Sequence, residues 1–419
     1  MRKPKLVNDF GADPSKSLLL QELHEDRTGV FEQTAEQPTR MKILLIGVDF
    51  YPVVKTTDKN FWLSLVKKLE PRFERIEIMT FTTWDSQMVE SHIGSNIHFV
   101  YRRFLPYLSA NSVISGFVVR SLSPLYYLRL IRRIVKSSGV QVIHFIDNFG
   151  LAMPMISVLC PKVMVTASVQ TPRPKRRIYD FFIGMSYKHL DRVSCSNDAL
   201  KERLIEAGIK DTRVSVIRWG VTAGVLPKAT SLSQHNQEPK VVLWSGFLAS
   251  LVEEEDFLFA IAVARKVIEV TKKYRFVFIF KPYCFKPEYR QYEQAGIAVQ
   301  PAGATYEAMM SKADLFFCPI KNKSKFIIPP LTWIEMLAAG KPIITTVASG
   351  VEEVIINEEN GFVCRDEQSL VDTMLKVADD ESIGPALSQG AVEWAMRRFS
   401  LSTTAAEYKA MWERSAKKI

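Results

Sequence analysis

The clearest chemistry in the sequence lies at the start of one expected helix. Pro329 and Pro330 precede an apolar stretch that ends near Gly340. A proline at the start of such a stretch and a glycine just after it are typical of a helix. The backbone N–H groups of Leu331 and Thr332 would point out of the helix start, where such groups bind anions. The spacing therefore predicts an anion site, suited to a diphosphate, at this helix start.

Glu335 lies one turn into the same expected helix, on the face of Leu331 and Thr332. A carboxylate at this position could accept hydrogen bonds from both hydroxyls of a ribose. An acidic residue in an otherwise apolar helix is costly unless it has partners. Alternatively, Glu335 caps or forms a salt bridge with a neighbouring loop. The residues alone leave both interpretations open.

The elements that must position this helix are short apolar runs that alternate with helical periodicity. One series starts at Ile43 and ends at Ile217, and a second starts at Val241. Such alternation predicts parallel, doubly wound sheets. In the second series we expect strands at Val241–Trp244, Arg275–Phe280, Leu315–Cys318 and Pro342–Thr346. The prediction is an α/β protein with two Rossmann-like domains facing a central cleft, where ligands bind beyond the carboxyl ends of the strands.

The expected division of the chain follows its composition. Residues 1–40 are polar and are predicted to form a mobile extension, and residues 41–225 form the first Rossmann-like domain. A linker rich in Ser, Thr, Pro and Gln then leads to the second domain, residues 226–400. We expect residues 401–419 to form a helix that packs back on the first domain.

Composition excludes several protein classes. The chain has 419 residues, of which 47% are hydrophobic and 24% charged, as in globular proteins. Its five cysteines are scattered singly, which favours a reduced compartment and predicts no metal site. There is no apolar run of about 18 residues and no apolar region of a secretory signal. We therefore expect a cytoplasmic protein.

The basic residues are concentrated in the first half. Residues 41–225 carry 26 basic and 14 acidic residues, an excess larger than the net charge of +10 of the whole chain. This asymmetry predicts an anionic partner: a membrane surface, a phospholipid-linked acceptor or a nucleic acid. The alternative is a merely solvated basic surface. No nucleic-acid-binding module is recognisable, so nucleic acid is not the expected partner.

One basic segment, residues 101–136, is rich in aromatic residues and has amphipathic spacing, which is typical of a helix on a membrane surface. Alternatively, its helices pack on the sheet with their arginines outward. A second cluster, residues 173–177, could meet a phosphorylated acceptor. The candidates for contact with the acceptor or with the inner face of the membrane are Arg102, Arg103, Arg129, Arg132, Arg133 and Arg176.

The segment from Ala304 to Cys364 resembles the donor-binding half of glycosyltransferase family 4, a group of retaining GT-B enzymes. The resemblance is carried by the run PPLTWIEMLAAGKP, by the turn Gly350–Glu353 and by Asn360–Val363 as a set. It covers the C-terminal half and extends more weakly to Lys42. It implies that the amides of Leu331 and Thr332, after Pro330, receive a diphosphate and that Glu335 binds the nucleotide ribose.

The sequence departs from that family at three places. Thr56 and Thr57 stand where a glycine pair is usual, and their hydroxyls could donate to phosphate. Ile327 replaces a second glutamate. The stretch around Gly246, a further donor-binding candidate, lacks the usual basic pair. The positive charge would come instead from lysines nearby: Lys281, Lys325, Lys321 and Lys323.

The catalytic candidates are Asp147 and Lys281, because each follows the end of an expected strand. Many relatives have a histidine where this chain has Ile146. His144 lies within the expected strand itself and is predicted to be a core residue with hydrogen-bond partners.

The resemblance implies a metal-independent hexosyltransferase without a cofactor. It would move a sugar from a UDP-sugar or GDP-sugar, with retention, to a glycan or lipid-linked acceptor on the first domain. Envelope polysaccharide synthesis is the expected role. The alternatives are a catalytically silent GT-B-shaped binding or scaffold protein and a glycosyltransferase that acts on nucleic acid.

Overall fold

The structure is a computed structural model that describes most of the chain after residue 38. The described residues are 39–48, 57–82, 95–103, 121–122, 124–146, 149–169, 177–222, 239–246, 251–280, 285–301, 306–321, 330–348 and 350–416. The extension expected at residues 1–40 lies outside these ranges, apart from Thr39 and Arg40. Residues Thr39–Ile419 form one compact unit, which contains two sheets.

The first sheet contains seven described strands, and every neighbouring pair is parallel. They are β1 Thr39–Val48, β2 Phe73–Thr82, β3 Ile97–Arg103, β4 Val142–Ile146, β5 Met164–Val169, β6 Arg192–Cys195 and β7 Val214–Val216. Their order is β3-β2-β1-β4-β5-β6-β7, so the winding direction reverses between β1 and β4. Ligands bind beyond the carboxyl ends of strands at such a switch point.

Helices cover both faces of this sheet. They are α1 Thr57–Leu69, α2 Leu128–Ser138, α3 Ala152–Leu159, α4 Arg177–Tyr187 and α5 Asp198–Glu206. Residues of α2 to α5 pack on one face in a cluster with Leu44 and Ile46, whereas α1 packs on the other. Because both faces are covered, β4 is buried along its whole length and reads as an apolar run in the sequence.

The second sheet repeats the same winding with six described strands, again all parallel. They are β8 Lys240–Gly246, β9 Tyr274–Phe280, β10 Ile297–Pro301, β11 Leu315–Cys318, β12 Ile343–Thr346 and β13 Gly361–Cys364. The order β10-β9-β8-β11-β12-β13 places its switch point between β8 and β11. Its helices are α6 Leu251–Val270, α7 Tyr306–Lys312, α8 Leu331–Ala338, α9 Glu367–Asp379 and α10 Ile383–Arg398. The prediction of two Rossmann-like parallel sheets is confirmed.

The last helix, α11 at Leu401–Ala416, returns to the first sheet. Val221 and Ser400 form a parallel bridge just before this helix. A side chain could not be added at Gly220, because its Cβ would lie 2.7 Å from the Leu401 Cα atom. Trp412 of α11 is buried and donates to His144 of β4. The domain boundary expected at residue 225 falls outside the described ranges and stays a prediction.

Candidate functional site at the switch point of the second sheet

The carboxyl ends of β8 and β11 meet at the switch point of the second sheet. The chain that leaves β11 is fixed there by polar side chains of neighbouring elements. The hydroxyl of Thr346 accepts from the N–H of Ile320 at 2.7 Å and lies 2.6 Å from the carbonyl oxygen of the same residue. The hydroxyl of Thr345 donates to the carbonyl of Cys318 at 2.6 Å. These bonds fix the backbone of Cys318 and Ile320 where the chain leaves β11.

Asp256 of α6 adds a third fixed point to this exit. It is only 8% exposed, and its carboxylate accepts from the backbone N–H of Lys321 at 2.8 Å. A buried carboxylate needs such a partner, because burial without one is costly. Asp256 therefore has a structural role at the switch point.

Helix α8 begins where the sequence predicted. Pro330 has extended backbone angles, and its carbonyl accepts from the N–H of Trp333 at 2.9 Å. The buried residues Leu331, Trp333 and Ile334 fix the helix against the core, while Thr332 is partly exposed. The helix start therefore presents the backbone of Leu331 and Thr332 at the predicted place.

Glu335 lies one turn further along α8 and is partly exposed. The helix ends at Ala338, and Gly340 follows in the left-handed conformation, with φ of 71°. A glycine suits this position because other residues rarely adopt it. The interpretation of Pro330 and Gly340 as helix boundaries is confirmed; the role of Glu335 stays a prediction.

Gly246, at the end of β8, has a packing reason to be glycine. A Cβ at this position would lie 1.9 Å from the ring of Trp244. That ring packs against Phe257 and Phe278 in the core of the second half. The packing of Trp244 therefore accounts for this residue type, and a contact of Gly246 with a donor stays a prediction.

Several predicted site residues cannot be placed. Thr57 begins α1 and Arg103 ends β3, but their side chains are not among the described atoms. The residues that lie outside the described ranges are Thr56, Asp147, Arg176, Lys281 and Lys325. Their predicted roles therefore stay predictions.

A contact between the two sheet regions was not foreseen from the sequence. Glu353 follows β12 in a short 3₁₀ turn, Val351–Glu353, and its carboxylate lies at the start of α5. It accepts from the N–H groups of Asp198, at 3.1 Å, and Ala199, at 3.3 Å. A carboxylate is favourable at a helix N-terminus, because the helix dipole is positive there.

Arg218 completes this contact. Its guanidinium lies 3.3 Å from the Glu353 carboxylate and also forms an ion pair with Asp198. Both Arg218 and Glu353 have side chains only 14% exposed, so the pair is partly shielded from water. The family pattern predicts the Gly350–Glu353 turn but no contact for Glu353. No local spacing signal joins positions 155 residues apart.

Buried polar side chains form a row along the first sheet. His144 is fully buried, and its Nδ1 lies 2.8 Å from the Thr166 hydroxyl and 3.3 Å from the indole nitrogen of Trp412. Because an indole N–H only donates, Nδ1 accepts and Nε2 carries the proton. Nε2 then donates to the hydroxyl of Ser168 at 2.9 Å. Burial lowers the pKa of His144 to about 3, so the ring is neutral, and its prediction as a core residue is confirmed.

The arginines of α2 lie on the outer side of the first sheet. Arg129, Arg132 and Arg133 are exposed, whereas Ile131 and Ile134 are buried against the sheet. Arg132 also donates to the carbonyl of Leu159 at 3.0 Å. The apolar face of α2 is thus covered, and packing accounts for its amphipathic spacing. A membrane contact at this helix would involve the arginines. Arg102 of β3 is partly exposed.

Two features are absent from the residues that the structure describes. No helix among them is long and apolar enough to cross a membrane. No three His, Cys, Asp or Glu residues in the described part of the chain are grouped as ligands of a metal ion.

Comparison with known proteins places the switch point within a known family pattern. Residues 239–380 match the sequence model of the family described as "Glycosyl transferases group 1". The match extends from β8 to α9 and includes α8, Glu335 and Glu353. A search of curated proteins finds no significant match to the chain.

Solved structures with the same fold cover nearly the whole chain. A glycosyltransferase from Rickettsia africae has a TM-score of 0.68 at 13% identity, and the match covers 91% of this chain and 100% of that one. Sucrose-phosphate synthase from Thermosynechococcus elongatus has a TM-score of 0.67 at 14% identity, covering 90% and 99%. The HepE protein of Anabaena, in complex with UDP, has a TM-score of 0.66 at 14% identity, covering 89% and 100%.

At such low identity the structural likeness shows the fold alone, and that fold is the two-domain GT-B fold. The fold class predicted from the sequence is therefore confirmed. The match to the group 1 model supports a glycosyltransferase without defining its donor, acceptor or mechanism. Membership of family 4 and a retaining mechanism stay predictions.

Proposed function

We propose that the protein is a glycosyltransferase that moves a sugar from a nucleotide-diphosphate sugar to an acceptor. The observation that carries this proposal is the placement of the α8 start. It follows the exit of β11 at the switch point, inside the segment that matches the group 1 model. Both the fold rule for parallel sheets and the helix-terminus rule for anions favour a phosphate ligand at this point.

The proposed donor site uses α8 for two contacts. The N–H groups of Leu331 and Thr332 bind the diphosphate, and the Glu335 carboxylate accepts from the ribose hydroxyls. Structures with the same fold support a nucleotide diphosphate. HepE of Anabaena is in complex with UDP and with UDP-glucose, and starch synthase IV of Arabidopsis thaliana is bound to ADP and acarbose. We favour a UDP-sugar or GDP-sugar with a hexosyl group.

The proposed reaction needs little from the protein beyond positioning and charge. The bond between the anomeric carbon and the diphosphate oxygen breaks, and the acceptor oxygen bonds to the same carbon on the same face. The acceptor proton passes to the departing phosphate oxygen. The helix start and Lys281 and Lys325 would stabilise the charge on the leaving diphosphate. Asp147 would orient the acceptor, and neither a metal ion nor a cofactor takes part in this scheme.

The acceptor is proposed to be a glycan or a lipid-linked precursor. The basic excess of residues 41–225 and the exposed Arg129, Arg132 and Arg133 support an anionic group near the first domain. A lipid phosphate on the inner face of a membrane would meet this need, because surface arginines attract anionic headgroups. We therefore propose a peripheral enzyme of envelope polysaccharide synthesis.

The donor site is tested by thermal unfolding with UDP, GDP, ADP, CMP and their sugars. A ligand that binds only the folded state raises the free energy of unfolding, by about 2.7 kcal/mol at a concentration of 100 times its Kd. The melting temperature rises as a result. We expect one nucleotide family to stabilise the wild type. Glu335→Gln should lose most of this effect, because a hydrogen bond to a charged group contributes about 1.5–3 kcal/mol.

The matched control is Glu381→Gln, an exposed glutamate of the same half that lies outside the proposed site. It should respond to the nucleotide like the wild type. If no nucleotide stabilises the wild type at millimolar concentration, the proposed donor site is wrong. Equal stabilisation of the wild type and Glu335→Gln would remove Glu335 from it.

A further inference from the structure

A cavity lies at the amino ends of three strands of the second sheet. It has a volume of about 400 Å³ and opens beside Pro239, Tyr274 and Ile297, at or next to the first residues of β8, β9 and β10. Because the strands are parallel, this edge of the sheet is opposite to the carboxyl ends where the donor site is proposed. The seven residues of β8 separate the two edges by roughly 20 Å. A ligand in this cavity would therefore not touch the donor.

One wall of the cavity is a tight turn that backbone hydrogen bonds fix. Gln294 and Ile297 exchange two hydrogen bonds, of 3.1 and 2.9 Å, and Gly296 between them has a φ of 86°. The carbonyl of Gly296 accepts from the N–H of Phe276 at 2.8 Å, which joins the turn to β9. The cavity thus has a preformed wall, as small-molecule sites usually have.

Small side chains keep the cavity open. Ala295, Gly296 and Ala298 line it, together with the apolar side chain of Ile268 from α6. A Cβ at Gly296 would lie 3.4 Å from Ile268, so the turn and the helix already pack closely there. The volume of about 400 Å³ falls within the range of small-molecule sites, about 300–1,000 Å³. The cavity can therefore hold a molecule of the size of a sugar phosphate.

Two basic side chains, those of Lys272 and Arg275, line the cavity. Their basic neighbours Lys266 and Lys273 each form an ion pair with a carboxylate of α9, at 2.7 and 2.9 Å. Lys272 and Arg275, by contrast, have no carboxylate partner among the residues that the structure describes. The two charges that face the cavity are thus the two that the fold leaves without a counter-ion.

Both cations also retain hydrogen-bond donors for a ligand. Lys272 donates to the carbonyl of Ile268 in the last turn of α6 at 2.8 Å, which uses one of the three donors of an ammonium group. Arg275 is exposed, and its guanidinium carries five N–H donors. The amide of Gln294 adds a neutral polar group to the same lining.

The lining selects an anion. None of the described residues that line the cavity is acidic, and the adjacent Glu269 and Glu293 do not line it. The carboxylate of Glu293 accepts from the N–H of Val299 at 3.3 Å and lies 3.9 Å from the guanidinium of Arg290. Arginine binds phosphate through two parallel hydrogen bonds, and lysine binds it as a point charge. Two cations match the double charge of a phosphate monoester better than the single charge of a carboxylate.

We propose that this cavity binds a phosphate monoester of the size of a sugar phosphate, with the phosphate between Arg275 and Lys272. The amide of Gln294 bonds to a hydroxyl of the organic part, and Ile268 and Ala298 cover its C–H groups. The proposal does not rest on the proposed function, because it uses no residue of the donor site. The ligand binds without displacing a nucleotide sugar.

The test is isothermal titration calorimetry of the full chain at low ionic strength. The probes are glucose 6-phosphate, ribose 5-phosphate and glycerol 3-phosphate, with glucose, glucuronate and inorganic phosphate for comparison. We expect at least one phosphate monoester to bind with a stoichiometry of one. Glucose should not bind, because it lacks the charge. Glucuronate and inorganic phosphate should bind more weakly, because the first has a single charge and the second lacks the organic part.

Four variants locate the binding. Arg275→Gln and Lys272→Gln should each weaken it by about tenfold or more, the usual effect of losing a charged hydrogen bond. Lys266→Gln is the matched control, because it removes the same charge from α6 at a residue that does not line the cavity. Ala298→Phe fills the cavity without changing its charge and should abolish binding. Melting temperatures establish folding, and the variants of the two exposed cations keep the test informative if Ala298→Phe does not fold.

The proposal is overturned if none of the three monoesters binds at millimolar concentration. Equal losses in Lys266→Gln and Arg275→Gln would also overturn it, because they would indicate general attraction to positive charge. Equal affinities for inorganic phosphate and the monoesters would mean an adventitious ion only.

Glu335→Gln separates this cavity from the donor site. We expect this variant to bind the monoester like the wild type. A loss of binding in Glu335→Gln without a loss in Arg275→Gln would assign the monoester to the donor site and refute the cavity. Failure of the nucleotide panel would leave the cavity untouched, because these titrations contain no nucleotide.

Discussion

The two sheets share one strand order but finish their carboxyl ends in different ways. In the second sheet, Thr345, Thr346 and Asp256 bond to the backbone that leaves β11. In the first sheet, the hydroxyls of Ser168 and Ser194 meet Tyr408 from the last helix instead. One end is thus fixed by its own neighbours, and the other by a helix from the far end of the chain.

This difference bears on the proposed donor site. A helix start that binds a diphosphate needs a rigid frame, because its N–H groups must stay aligned with the ligand. In the first sheet the corresponding strand ends are closed by Tyr408 of α11, which bonds to Ser168 and Ser194. Equal strand order therefore does not mean equal sites, and function follows the side chains at the strand ends.

The largest expected effect comes from truncating Trp412 of α11, the helix that packs on the first sheet. Trp412 is only 1% exposed, packs on Phe73 and donates to His144. We expect Trp412→Ala to lower the free energy of unfolding by about 3–5 kcal/mol, because it leaves a large cavity. Urea unfolding followed by circular dichroism measures this. Trp412→Phe should cost less, and an effect of Trp412→Ala below about 1 kcal/mol would contradict the role of α11.

A smaller effect is expected from the hydrogen bonds of Thr346 to Ile320, which fix the chain after β11 in the second sheet. Thr346→Val keeps the shape of the side chain but leaves the buried N–H and carbonyl of Ile320 without the hydroxyl. The expected loss of stability is about 1–3 kcal/mol. Nucleotide binding should weaken as well, since the backbone of Ile320 beside the switch point is loosened. Thr346→Ser retains the hydroxyl and is the control; if it behaves like Thr346→Val, the hydrogen bonds are not the cause.

The burial of His144 in the first sheet predicts that the stability of the protein depends on pH. The pKa of His144 is lowered from 6.5 to about 3 in the fold, so below pH 6.5 the unfolded chain binds a proton that the folded chain does not. The contribution of His144 to the free energy of unfolding is therefore fully present above pH 6.5 and is lost as the pH falls towards 3. The slope approaches about 1.4 kcal/mol per pH unit from this group.

Chemical unfolding at several pH values compares the wild type with His144→Gln. Between pH 6.5 and pH 3, the free energy of unfolding of the variant should depend less steeply on pH. The difference in slope corresponds to the uptake of up to one proton on unfolding. Parallel pH profiles of the two proteins would show that His144 does not titrate in the unfolded chain as expected, or that it is charged in the fold.

The smallest expected effect concerns the contact that joins the two sheet regions. Glu353→Gln weakens the cap on α5 and removes the ion pair with Arg218. We expect a loss of about 1 kcal/mol, since a charge at a helix start contributes roughly that amount when partly buried. Thermal unfolding is the measurement, with exposed Glu359→Gln as the control. A loss no larger than that of the control would mean that the contact adds nothing to stability.

The sequence predicted strands well where they are continuously apolar and buried, as at β9 and β11. It missed β10 and β13. Strand β13 has four residues and starts at Gly361, a poor strand former. The structure explains this glycine, since a Cβ there would lie 2.0 Å from the carbonyl oxygen of Ile343. Close backbone approach has no signature in hydrophobic periodicity.

The candidate site was predictable only in part, for a related reason. The start of α8 has local signals, a proline before it and a glycine after it, and these placed Glu335 correctly on the helix. The contact of Glu353 with α5 joins residues far apart in the chain, as do the bonds of Tyr408 to Ser168 and Ser194. Such contacts depend on how the sheets are assembled, and single-sequence patterns contain no information about that.

Release of the nucleoside diphosphate shows whether the protein transfers a sugar. The nucleotide sugar that stabilises the fold is incubated with neutral glycosides and lipid-linked glycan acceptors, and the product is examined by NMR. We predict release by the wild type, an anomeric configuration equal to that of the donor, and a strong loss in Glu335→Gln. If the wild type binds the nucleotide sugar tightly but never releases the nucleoside diphosphate, the protein is a binding protein with a transferase fold.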